Sequence, residues 1–383
     1  GITSAISEII HNEKAKMVDI GQSVLHGFLI LSAIVEIPSG SDALKKLLFK
    51  VADLGLRLEV STFSEDLNRP SRRERQKGLR LSLLGDLSDG RAFSDTSKFL
   101  ASRLINIRSI RTLSRSHFNG LELIVDLPGQ NIATESELQS IRGEILELSQ
   151  QTNCDVAVQK DDVFRRHKRI VCMDVDSTFV QMEVIDELAR LAGCKAKVAA
   201  ITERAMNGEL DFKSALSERV MCLKGLSFSK AQELLNDIPL SKGVVEFVAA
   251  IKKLGFSISL VSGGFDFFVN ELKNRYSLDF AFANTLEVID GKITGKLLGS
   301  IVDSERKAQI LKDLSQLLKC NINQTVAIGD GANDIEMLRT AGLGIAFRAK
   351  EVTQKAAHFS LNNSTMEKLC LLMGFDAEEM QDL

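Results

Sequence analysis

The sequence holds no C-x-x-C pair, no charge excess of either sign, no long apolar run and no leader-like beginning. Each absence removes a class of function. The six cysteines (154, 172, 194, 222, 320 and 370) are scattered, and several sit in apolar runs such as Ile170-Val-Cys-Met173, so buried reduced thiols are expected and zinc-thiolate or dithiol redox chemistry is not. A formal charge of −3 over 383 residues suggests neither nucleic acid nor an anionic membrane as partner. The longest uncharged apolar stretch, Gly21 to Val35, falls short of the roughly 20 residues that span a bilayer. No basic segment followed by an apolar one opens the chain, which makes a cytoplasmic location the expectation. What is present is the balance of a globular protein, 44% hydrophobic and 26% charged, in a chain long enough for two or three domains.

The first 160 residues contain an internal repeat. Residues 17–38, MVDIGQSVLHGFLILSAIVEIP, and residues 104–128, LINIRSIRTLSRSHFNGLELIVDLP, each read as strand, Gly-containing turn and strand. Helical patterns follow them (Ser41 to Leu54, Glu135 to Gln150) and precede them (Ile2 to Ile10, Arg91 to Leu100). A period of about 90 residues fits a duplicated small domain better than a solenoid. The second copy adds a strand, Leu79 to Leu84, and the turn Gly85-Asp-Leu-Ser-Asp-Gly90; Gly1 aligns with Gly90, so the first copy is expected to lack its first strand and the sequence to be incomplete at its N-terminus. The order βαββαβ predicts an antiparallel sheet with two helices on one face. Arg72, Arg73, Arg75 and Lys77, between the copies, read as a solvated charge run.

This order, with the stretches DIGQSVLHG and IRTLSR, resembles a tandem pair of ACT domains, small modules that sense amino acids. The resemblance implies an amino-acid effector or a homodimer interface. The usual Pro before the turn Gly is absent: the second copy has Leu87-Ser-Asp-Gly90.

From Arg169 the pattern changes to short apolar strands (Ile170–Met173, Phe256–Val261, Thr325–Ile328, Leu343–Phe347) alternating with helices such as Val244–Leu254 and Lys307–Leu318. That alternation predicts a doubly wound, Rossmann-like parallel sheet, whose ligands sit at the carboxyl ends of the strands. Those ends carry Asp174-Val-Asp-Ser-Thr178, Ser262-Gly-Gly264 and Gly329-Asp-Gly-Ala-Asn-Asp334, with Lys307 expected to open a helix. Residues 180–243 interrupt the alternation with helical periodicity alone (Val184–Ala192, Val198–Asn207, Phe212–Leu223, Lys230–Asn236), as a lid over the strand ends would. The expected architecture is α/β with a helical cap insertion, behind two α+β domains: residues 1–70, 76–160 and 166–383, with the cap at about 180–243.

Taken in order, the four polar segments resemble the motifs of the haloacid dehalogenase-like phosphatases: D-x-D-x-[TV], a Ser or Thr after the second strand, a Lys, and G-D-x-x-x-D. The chemistry accounts for the residue types. A carboxylate can attack phosphorus and split one hard step into two, a role for Asp174. Asp176 can protonate the leaving oxygen and later deprotonate water. Paired carboxylates beside a phosphate dianion need a cation, and Mg²⁺ with oxygen ligands from Asp174, Asp176 (backbone carbonyl) and Asp330, plus Asp334 through water, is the expected cofactor. Ser262, Gly263 and Lys307 are expected on the phosphoryl oxygens, and Asn333 on a phosphoryl or nucleophile oxygen.

The stretches DVDSTFVQMEVIDELARLAG, ITERAMNGELDFKSALSERV, VSGGFDFFV and IGDGANDIEML resemble the phosphoserine phosphatase family in particular. That resemblance implies phosphoserine as the substrate, Glu183 on its ammonium, Arg219 on its carboxylate, and Met206 with Phe212 as the apolar underside of the lid. Phe179 stands where the family has Leu or Ile. Three rival readings share these residues: phosphoryl transfer to another acceptor, a receiver-like switch, and an amino-acid-binding regulator with an inactive phosphatase domain. The long insertion and Asp176 oppose the switch, and the intact motifs oppose the regulator.

Overall fold

The structure is a computed structural model that describes residues 2–25, 27–62, 78–114, 119–128 and 134–382. The charge run at Arg72, Arg73, Arg75 and Lys77 lies outside the described residues. The chain divides into two compact units, residues 1–74 and 75–383.

The first unit holds α1 (Ile2–Asn12), the antiparallel pair β1 (Lys16–Leu25) and β2 (Phe28–Glu36), and α2 (Ala43–Asp53). Residues 56–62 form no strand. The second copy supplies the physical reason, because there the last strand pairs only with the first strand, and no described strand of the first unit takes that place.

The second unit begins with the complete βαββαβ order: β3 (Leu79–Leu84), α3 (Arg91–Ser102), β4 (Asn106–Thr112), β5 (Gly120–Asp126), α4 (Glu135–Thr152) and β6 (Asp155–Lys160). These strands form an antiparallel sheet in the order β4-β5-β3-β6. Alternate residues of β3, Leu79, Leu81 and Leu83, bury one face against Ala92 and Leu100 of α3 and Leu138, Ile141 and Ile145 of α4. A capping box at Thr134 and Glu137 starts α4. Residues of the other face, Leu84 and Ala157, join the main core of the following domain.

That domain contains β7 (Ile170–Met173), the cap helices α5 (Val184–Leu191), α6 (Lys195–Met206), α7 (Phe212–Cys222) and α8 (Phe228–Gln232), then α9 (Val244–Lys253) and β8 (Ser257–Phe265). It continues through α10 (Asp266–Arg275), the hairpin β9 (Phe280–Ile289) and β10 (Lys292–Leu298), and α11 (Ser304–Leu317). It closes its sheet with β11 (Thr325–Gly329), α12 (Ile335–Thr340), β12 (Leu343–Phe347), α13 (Glu351–Ala356) and β13 (Phe359–Leu361). The order is β10-β9-β8-β7-β11-β12-β13, parallel except for β10 at one edge. The strands β7, β11 and β12 are buried along their whole length and, apart from Thr325 at the start of β11, carry no polar side chain, as a sheet covered on both faces requires. Two local expectations are corrected. Lys307 is the fourth residue of α11 rather than its first, because Asp303 caps the helix by accepting from the Arg306 amide at 2.9 Å. Ser262-Gly-Gly264 is not a turn after the strand but part of β8, which shifts register against β9 between Val261 and Phe265. The β9–β10 hairpin and β13 had no counterpart in the sequence reading. All six cysteines are free, and Cys154, Cys172 and Cys370 are buried.

The two sheets of the second unit meet edge to edge, β6 against β13. Asp155, fully buried, accepts from the amides of Asn362 (2.9 Å), Asn363 (3.1 Å) and Ser364 (2.8 Å) just after β13. Burial raises its carboxyl pKa, and those donors pull it back. In the same unit Arg165 is paired with buried Glu122, which also takes Arg80 at 2.6 Å. Asp155→Ala leaves three partly buried amides without their acceptor and is expected to cost about 2–4 kcal/mol. Chemical denaturation of parent and variant measures the loss.

Candidate active site

Sheet order brings the polar segments together. β7 lies between β8 and β11, all three parallel, so their carboxyl ends deliver the Asp174 loop, Ser262 and Asp330 to one place. The Asp174 amide is tied to the Ile328 carbonyl at 2.9 Å, and the loop then bends through Ser177, whose φ of 56° is left-handed. That bend lets the Ser177 hydroxyl reach Glu183 Oε1 at 2.8 Å and the Thr178 hydroxyl reach Asp330 Oδ1 at 3.0 Å.

At the centre lies Lys307, with no exposed surface. Its Nζ donates to Asp174 Oδ1 at 2.6 Å and Asp334 Oδ1 at 2.7 Å. Burial opposes its charge, but these two carboxylates raise its pKa above the ordinary lysine value. Asp334 Oδ2 in turn accepts from the amides of Asp330 (3.2 Å) and Gly331 (3.0 Å), which folds the 329–334 turn around it. A side chain at Gly329 would start 2.4 Å from Asp334 Cγ, so only glycine fits there.

The acidic groups are held unlike ordinary carboxyls. Burial and then the Asp334 charge push Asp174 well up, against the pull of Lys307. Burial also raises Asp176, although its oxygens accept from the Val184 amide (2.7 Å) and the Ser262 hydroxyl (3.2 Å). Burial and the Asp334 charge push Asp330 up to about 6. One carboxylate oxygen from each of Asp174, Asp330 and Asp334 lies within 4.8 Å of the others. This all-oxygen donor set, with Asp174 and Asp334 buried and Asp330 partly so, brings three carboxylates to one lysine and fits a hard divalent cation. The Asp176 carboxylate lies outside that group and faces Ser262.

Ser262 Oγ also accepts from the Gly264 amide at 2.8 Å, and a side chain at Gly264 would start 2.8 Å from Asp176 Oδ2. Phe212 of α7 and Asn333 both come up to Gly263: a Cβ there would lie 3.1 Å from Phe212 Cζ and 3.6 Å from Asn333 Nδ2. Glu183 precedes α5, and burial followed by the Asp176 charge pushes its carboxyl to about 7. Arg219 on α7 is half-buried; burial lowers its pKa against the opposing charges of Glu183, Asp186 and Asp176, and its Nε donates to the Ala215 carbonyl at 3.3 Å. Met206, at the end of α6, is 68% exposed and does not share that burial.

Sequence reading placed Ser177, Thr178 and Gly264 inside the quoted motifs without a role of their own, and missed Asn284; all four hold the others in place. Buried Asn284 donates to the Gly263 carbonyl at 2.8 Å and accepts from the Val302 amide at 2.8 Å, joining β8 to the segment before α11. Its signal was an amide side chain inside the strand FAFANTLEVI.

Comparison with known proteins gives the same outline. Residues 171–339 match the haloacid dehalogenase-like hydrolases, and residues 1–61 and 80–159 each match an ACT domain family. Phosphoserine phosphatase SerB2 of Mycobacterium tuberculosis is 34% identical over 388 residues, covering 100% of this chain and 92% of that protein. Among solved structures, a haloacid dehalogenase family hydrolase from Salmonella enterica serovar Typhi has a TM-score of 0.65 at 31% identity, covering 77% of this chain and 99% of its own. A phospho-aspartyl intermediate analogue of phosphoserine phosphatase has a TM-score of 0.51 at 40% identity, covering 53% of this chain and 98% of its own. The chain belongs to the phosphoserine phosphatase family, carrying a haloacid dehalogenase-like hydrolase domain behind two ACT domains.

Proposed function

We propose that the protein hydrolyses O-phospho-L-serine to L-serine and phosphate through an aspartyl-phosphate, the closing step of serine biosynthesis, in the cytoplasm. The observation that carries this reading is Lys307 bridging Asp174 and Asp334, with Asp330 in the same carboxylate group and Asp176 beside Ser262. A carboxylate with a cation on one oxygen keeps the other for attack. The phospho-aspartyl analogue of a 40% identical phosphoserine phosphatase supports the same chemistry.

In this mechanism Asp174 attacks phosphorus, the bond from phosphorus to the serine oxygen breaks, and Asp176 gives its proton to the departing alkoxide. Its raised pKa favours the protonated form that this step needs. Asp176, now a carboxylate, then takes a proton from the water that attacks the phosphorylated Asp174, and phosphate leaves. Ser262, the Gly263 amide, Lys307 and Asn333 bind the phosphoryl oxygens. Asp174, the Asp176 backbone carbonyl and Asp330, with Asp334 through water, would hold Mg²⁺, which when bound neutralises the gathered negative charge. Glu183 and Arg219 recognise the ammonium and carboxylate, and Phe212 with Met206 forms the lid's apolar underside. Domain limits of 1–70, 76–160 and 166–383, with a cap over about 180–243, complete the reading. The first two domains would dimerise or take an amino-acid effector, and exposed Val24, Phe28 and Ile30 on the β1–β2 hairpin offer apolar surface for a second copy.

Asp174→Asn is expected to abolish phosphate release from phosphoserine while circular dichroism and the melting profile stay those of a folded protein. Asp176→Asn is expected to lower kcat by about 10²–10⁴-fold. Chelation of divalent ions is expected to remove turnover, and added Mg²⁺ to restore it. Glu183→Gln and Arg219→Lys are expected to raise KM for phosphoserine by about tenfold or more. Neither should much affect a phosphomonoester that lacks both amine and carboxylate. Equal losses on both substrates would remove these two residues from substrate recognition.

A further inference from the structure

The lid is attached to the hydrolase domain at two ends of very different character. Beyond the C-terminal end of α7 the ties are backbone bonds to the β9–β10 hairpin. The Gly225 amide donates to the Ile293 carbonyl and the Phe228 amide to the Gly291 carbonyl, both at 2.8 Å. Met221 and Lys224 also pack over Gly295, where a Cβ would lie 3.1 Å from Met221 Sδ. At the N-terminal end of α7 the ties are side chains. Phe212 covers Gly263, and Lys213 Nζ lies 2.8 Å from Asp303 Oδ2. The turn before it, residues 207–209, is exposed and contains Gly208 at φ 79°.

Asp303 is prepared for that contact. Its Oδ1 already caps α11 through the Arg306 amide, which fixes the carboxylate and leaves Oδ2 to the lid. Its side chain is 15% exposed, against 60% for Lys213. The Lys213 contact is the main reason its carboxyl is held below the ordinary range, so it is charged at neutral pH. The Asp303 carbonyl also accepts from the Lys307 amide at 2.9 Å. The lid's anchor and the buried lysine of the active site therefore occupy one helical turn.

We propose that Lys213 and Asp303 form an electrostatic latch that holds the lid shut, with Lys213 a positioning residue for substrate retention. The proposal rests on the phosphatase reading, in which the cap closes over bound phosphoserine. An ion pair with one solvent-exposed partner is weak and partly screened by salt, which suits a contact that must break in every catalytic cycle. Asp303 supplies direction, since its capped carboxylate cannot follow the lid when it opens.

The test uses the full chain with Lys213→Gln, Asp303→Asn (Asn keeps a helix cap), their combination, and Lys213→Arg. Steady-state kinetics on phosphoserine at low and high KCl should give each neutral variant a KM about twofold to fivefold above the parent, with kcat not reduced. The double variant should lose no more than either single one, Lys213→Arg should match the parent, and KM should rise more steeply with KCl in the pairs with both charges than in the neutral variants, where only substrate binding is screened. A Glu-specific protease cutting at exposed Glu209 in the free protein gives an independent readout, with faster cleavage expected in Lys213→Gln and Asp303→Asn. Additive single effects, or unchanged KM and cleavage, would overturn the latch. A parent that cleaves other phosphomonoesters but not phosphoserine would instead overturn the substrate assignment, and the protease assay would still decide the latch.

Discussion

A lysine without any exposed surface must have its charge matched on every side, and this constraint organises the hydrolase domain. Lys307 meets it with two carboxylates, one from the end of β7 and one from the turn after β11. Removing either partner would still leave the lysine one adjoining carboxylate, so it is the pair together, buried with Lys307, that ties the three segments. The same constraint explains why so many acids tolerate one another here. Lys307 lowers the cost of ionising Asp174, and Asp334 spends its second oxygen on two backbone amides.

Close backbone approach is the second requirement. Gly329 leaves the room that Asp334 occupies, and Gly264 lets β8 pass against Asp176. Both glycines stand at the carboxyl ends of strands next to β7. Asn284 then fixes β8 from the far side and holds the Val302 amide just ahead of α11. The catalytic groups thus rest on rigid elements, while the lid contributes residues from a helix with one firm and one loose end.

The repeat next to this domain is joined to it through buried polar groups rather than through a greasy seam alone. Asp155 binds three consecutive amides after β13, and Glu122 sits between Arg80 and Arg165. Such a seam makes residues 78–160 part of the catalytic body in mechanical terms, since the edges of the two sheets protect each other from solvent and from other strands.

Much of this was legible in the order of residues, because periodicity and strand-end chemistry are local. The apolar runs of β7, β11 and β12, the helical insertion, the three acidic or small-residue motifs and the lysine between them could be read directly, as could the second βαββαβ copy. The antiparallel β9–β10 hairpin was not, since its strands are only half-buried and their alternation is broken by polar residues. Nor could sequence reading find the roles of Ser177, Thr178, Asn284 and Lys213, or the clamp at Asp155. Each depends on a partner brought close by folding: Thr178 to Asp330, Asp155 to Asn363 and Lys213 to Asp303. Sequence determined which chemical groups the strand ends would carry. Tertiary structure alone decided which of them share a proton, a charge or a hydrogen bond, because those energies depend on distance and burial that no local pattern encodes.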